Sequence, residues 1–211
     1  MIETKHLTPA AIAISVIATG LSCARQPEPA PVYAPTQLGL TLLFENPQLG
    51  REERAKNRYQ IEVIKTEQAE DGSSGLNVTT STASIQWASE NRFFCSQSGE
   101  VRMIAPDGTR SVSVLPSGFP FKTQSWQSEG LSYRVLGRAY AKLPGVSFRD
   151  PVGVWVEASP GSPQRPNPNA SFELAHIFLM PGIGEVETRV FSNGAWSTTN
   201  RLVGKGHTDD Y

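Results

Sequence analysis

The strongest constraint on this chain is a period-two alternation that recurs in short runs separated by turn residues. Tyr59-Gln-Ile-Glu-Val-Ile-Lys65 puts Tyr59, Ile61 and Val63 on one side and Gln60 and Glu62 on the other. Successive side chains of a strand point to opposite faces, so this pattern fits a strand with one buried face. Leu76-Asn-Val-Thr-Thr-Ser-Thr-Ala83 is rich in β-branched residues, and Glu70-Asp-Gly-Ser-Ser-Gly75 lies between the two runs as a turn, which predicts an antiparallel hairpin. Asp107-Gly108 between Val101–Ile104 and Ser111–Leu115 repeats the signal, as does Asn193-Gly194 between Glu185–Phe191 and Trp196–Val203. Ile85–Trp87, Arg92–Cys95, Leu131–Leu136, Val152–Glu157 and Ser171–Met180 supply further strand segments. Roughly nine or ten short strands with turns at this spacing predict an all-β fold. The expectation is a single antiparallel β domain over residues 38–204, either a curved half-barrel-like sheet or a β-sandwich, with residues 205–211 as a polar tail. Asn46–Arg58 has helix formers without an apolar stripe, so it reads as a solvated loop or a short surface helix. Ala158–Ala170, with prolines at 160, 163, 166 and 168, reads as an exposed excursion between strands.

The first thirty-five residues have a different character. A short polar start carrying Lys5 precedes Ala10–Ala18, an uncharged apolar run of export-signal length. It is too short to span a bilayer comfortably, which takes roughly 20 apolar residues. It ends at Thr19-Gly-Leu-Ser-Cys23, which resembles a lipobox: a small residue before an obligatory cysteine whose sulfur receives the lipid. Leu21 and Gly20 depart from the favoured form of that pattern. The resemblance implies a lipoprotein signal peptide over 1–22 and lipidation at Cys23. Residues 23–37 then form a proline-rich tether, with prolines at 27, 29, 31 and 35 favouring extended polyproline II. The implied partner is a membrane, held through the N-terminal lipid anchor, and the implied location is the cell envelope. Ala24 after the cysteine implies an outer membrane where the organism has one.

Three later fragments also resemble a loosely defined group of bacterial envelope lipoproteins and secreted β-domain proteins that has no agreed activity. They are Pro31–Thr41, then Leu131–Gly137 with Leu143–Phe148, and finally Phe178-Leu-Met-Pro-Gly-Ile-Gly-Glu-Val186 before the last hairpin. The likeness implies an antiparallel β fold and an envelope location, and it carries over no functional residue. Gly182 and Gly184 read as backbone positions needing positive φ at a strand corner.

Charge and composition narrow the function classes. A formal net charge of −1 leaves no electrostatic footprint for nucleic acid. Cys23 and Cys95 are the two cysteines; once Cys23 carries lipid, Cys95 has no disulfide partner within the chain, and its apolar setting reads as a small buried hydrophobe, with a reactive or intermolecular thiol as the alternative. The histidines after the signal are His176, inside an apolar strand, and His207, in the polar tail beside Asp209 and Asp210. Neither is accompanied by a nucleophile elbow, and their spacing does not make a zinc site. No catalytic, metal-binding or cofactor-binding set stands out, and no cofactor is implied. The functional expectation is therefore a non-enzymatic binding or assembly module of the envelope. Trp87, Trp126, Trp155 and Trp196 suggest a sharper alternative, a half-barrel carrier whose concave face holds a lipid or other hydrophobic ligand. The other partner class is an envelope protein, and a motif-free hydrolase is the third reading.

Overall fold

The computed structural model describes residues 30–82, 88–104, 108–109, 111–161 and 172–208. Cys23, Trp87, Asp107, Asp209 and Asp210, singled out in the sequence, lie outside them. Twelve strands form one antiparallel sheet: β1 (Leu40–Glu45), β2 (Tyr59–Gln68), β3 (Ser74–Thr82), β4 (Ala88–Cys95), β5 (Val101–Ile104), β6 (Ser111–Leu115), β7 (Ser125–Ser128), β8 (Leu131–Tyr140), β9 (Val152–Pro160), β10 (Leu174–Met180), β11 (Gly184–Ser192) and β12 (Ala195–His207). Their spatial order is β6-β5-β4-β3-β2-β1-β12-β11-β10-β9-β8-β7. Every strand thus pairs with its sequence neighbours except at the β6–β7 seam, and β1 joins β12 to link the two halves. The only helix among the described residues is α1 (Arg51–Lys56), a single exposed turn with no buried residue.

This is the all-β antiparallel fold expected, and it curls into a nearly closed barrel. Six register shifts interrupt the ladders, each placing an extra residue in one strand of a pair. Such bulges raise the local twist and bend a sheet toward closure. At the seam β6 and β7 form no ladder; Ser128 Oγ donates to the Ser113 carbonyl at 2.6 Å instead.

Side chains inside the barrel form the core. Leu42, Phe44, Val63, Leu76, Val78, Val154, Val156 and Leu202 are almost wholly buried. The Tyr59, Ile61, Val63 face of β2 packs inward as the alternation predicts. Outward positions carry charge. Glu45 pairs with Arg54 and Arg58, Glu187 with Arg189 and Arg201, and Glu157 with Arg134. An apolar inside and a charged outside reverse the arrangement of a membrane-spanning barrel, whose outer band faces lipid.

Two expectations at the ends of the domain change. The tether expected to run to residue 37 ends sooner, because its second half belongs to the core. Tyr33 and Ala34 are buried, the Tyr33 ring meets Phe119 edge-on at 5.0 Å, and Gly182 N donates to the Val32 carbonyl at 2.7 Å. Residues 30–37 form a strap from the β4–β5 turn, where Gly99 approaches Ala30, to the β10–β11 corner, where Gly184 approaches Ala34. Proline density reads as a spacer whether or not an aromatic residue pins the chain, which is why composition missed the strap. At the other end, β12 continues through Gly206 and His207, paired with Thr41 and Leu40. His207 is therefore a strand residue, its Nε2 2.6 Å from the Leu38 carbonyl.

Candidate functional site

Strands in this sheet alternate in direction, so their connections fall into two sets. The strap, the β2–β3 turn, the β4–β5 turn and the β10–β11 corner share one end. There Phe119, Leu143, Met180 and Ile183 complete the packing. The interior is not filled throughout. A cavity of about 380 Å³ lies within the size range of small-molecule sites, about 300–1,000 Å³. Its lining is mostly apolar, with aromatic rings from the strap and five strands: Tyr33, Phe44, Tyr59, Phe93, Trp126 and Tyr133. Rings stack in pairs along the wall, Phe44 on Tyr59 at 5.0 Å and Trp126 on Tyr133 at 4.9 Å. Aromatic rings supply large apolar area with few rotatable bonds.

A few polar groups converge on this apolar wall. Glu185 lines the cavity, and its Oε1 accepts from Thr188 Oγ1 at 2.6 Å and from Asn200 Nδ2 at 2.8 Å. Tyr59 joins the group through Asn200; burial first, and then the nearby Glu185 charge, hold its phenol well above the ordinary 10.0. Burial likewise raises Tyr133 and Tyr33, so these lining tyrosines stay neutral donors and acceptors at neutral pH. Trp126 Nε1 is buried with no hydrogen-bond partner.

Other residues singled out from the sequence fall elsewhere. Trp126 lines the cavity, but Trp155 and Trp196 do not: they lie on the outer face with His176, at ring distances of 6.4 and 4.2 Å from it. Strand parity explains the split, since Trp155 lies between the inward Val154 and Val156. His176 Nε2 is 3.5 Å from Glu157, a carboxylate that also accepts from Arg134 at 2.8 Å. A histidine beside a carboxylate has the beginnings of a catalytic pair, but a guanidinium already engages that carboxylate. The group is an ion network on a sheet face. Cys95 is buried, and burial pushes its thiol from the ordinary 9.0 up to about 11, so it packs as a small apolar residue. The described residues contain no cluster of three or more metal-ligating side chains.

No protein-family model matches the sequence, and no curated protein is recognisably similar to it. Among solved structures, the chain is similar to a candidate exported protein with a YmcC-like fold from Bacteroides fragilis. The match has 13% identity and a TM-score of 0.48 and covers 84% of this chain and all of that one. A candidate lipoprotein from Parabacteroides distasonis matches at 9% identity with a TM-score of 0.47, over 85% of this chain and all of that one.

Proposed function

We propose that this chain is a lipid-anchored protein of the bacterial envelope that binds a hydrophobic ligand inside its barrel and performs no chemistry on it. The observation that carries the reading is the aromatic-lined cavity of about 380 Å³. An apolar space of this size gains about 0.8 kcal/mol for each methylene moved into it from water. The few convergent polar groups would orient such a ligand.

The anchor rests on the lipobox-like end of the apolar run at Cys23. Cys23 precedes Ala30, the first residue of the strap that the structure describes, by seven positions in the sequence. An anchor so close in sequence to the strap turns the strap end of the barrel toward the membrane in this reading. The full chain carrying Cys23→Ser tests both parts of the reading. It should leave the membrane fraction, and native mass spectrometry of the released protein should show a co-purified apolar mass that denaturation removes. Continued fractionation with membranes refutes the anchor. A ligand-free protein that also takes up no hydrophobic dye refutes the binding role.

A further inference from the structure

The cavity is one-sided in charge. Among the described residues that line it there is no lysine, arginine or histidine, and the one carboxylate is Glu185. Its two contacts, from Thr188 and Asn200, both fall on Oε1. Glu185 makes no ion pair with any described residue, in contrast to Glu45, Glu157 and Glu187 on the outer face, each of which has a guanidinium partner. A carboxylate at an apolar wall loses hydration, and a partner of opposite charge or a hydrogen-bond donor offsets that loss. An anionic head group would add repulsion in a setting where charges are poorly screened.

From this we infer that the cavity selects single-chain amphiphiles by their head group, taking a cationic amine first, a neutral hydroxyl second and a carboxylate last. The head meets Glu185, and the chain packs on Leu42, Phe93 and Ile177. The inference rests on the reading of the cavity as a ligand site and deepens it by naming the class of ligand.

The test uses the full chain carrying Cys23→Ser, loaded with the neutral dye Nile red at neutral pH. Dodecylamine, dodecanol and dodecanoate, below their micelle concentrations, compete for the dye. The amine should displace it at a concentration about tenfold lower than dodecanoate, as expected for one charge-assisted hydrogen bond, with the alcohol between. Glu185→Gln keeps an oxygen for Thr188 and Asn200 to donate to, so it preserves the wall and removes the charge. In that variant the gap between amine and carboxylate should shrink to about twofold or less, while displacement by the alcohol is retained. Equal displacement by all three, preference for the carboxylate, or a gap that survives Glu185→Gln would overturn the inference while leaving the ligand-site reading intact. Failure of the protein to hold the dye, or of all three compounds to displace it, would overturn the ligand-site reading itself.

Discussion

At the scale of single residues, the cavity wall depends on positions where strict alternation fails. Leu179 pairs with Glu185 and Phe178 with Glu187, so Val186 is an extra residue in β11. The shift lets Glu185 line the cavity while Glu187, two residues along, pairs with outward Arg189 and Arg201. Alternation alone would put both glutamates on one face. Glu185 was therefore illegible as a site residue, because nothing in Gly184-Glu185-Val186-Glu187 announces a bulge. Gly182 and Gly184 were legible: both adopt positive φ, 71° and 88°, at the corner where that freedom was expected. Gly153 has a different role. A methyl group there would sit 2.5 Å from the Leu179 carbonyl oxygen and 2.6 Å from the Phe178 ring, and the ladder between β9 and β10 leaves neither free to move. Gly153→Ala should destabilise the protein by about 1–3 kcal/mol through overpacking, lowering the midpoint of thermal unfolding by several degrees. An unchanged melting temperature would show that the two strands do not approach this closely.

Among elements, the strap departs most from its reading in the sequence. Its prolines resemble those of the preceding segment, and the functional distinction lies in Tyr33 and Ala34, which are buried against the barrel end. Phe119 packs on Tyr33 from the loop between β6 and β7. The strap therefore behaves as a structural element in its own right that closes the membrane-facing end in the proposed orientation. Truncation separates strap from spacer. A chain beginning at Ala30 should melt as the full chain does, since every contact described for the strap is retained. A chain beginning at Leu38 loses the buried aromatic ring and should lose about 3–5 kcal/mol, the usual cost of removing one from a core. Equal thermal stability of the two truncations, measured by circular dichroism, would show that the strap is only a spacer.

At the scale of the whole molecule, ten of the twelve strands were readable as strands and hairpins, while β1, β7 and the closed shape were not. The turns at Glu70–Gly75 and Asn193-Gly194 identified their hairpins, and Asn193 and Gly194 adopt the positive φ values of 51° and 78° that such a turn requires. Sandwich and barrel share this local pattern. The choice between them depends on six register shifts and on β1 pairing with β12, a contact between strands far apart in sequence. The cavity follows from that closure, because strands that curl around an axis with rings of unequal size on the inner face leave space between them. Filling this space is the most direct test of the account. Ile177 is a half-buried lining residue, and Ile177→Trp places a larger ring there without adding charge. In a titration with Nile red, the full chain carrying Cys23→Ser should bind the dye saturably, and the same chain with Ile177→Trp should bind it at least about tenfold more weakly with an unchanged circular dichroism spectrum. Equal dye affinity in the two folded proteins would place binding outside the barrel and contradict the account.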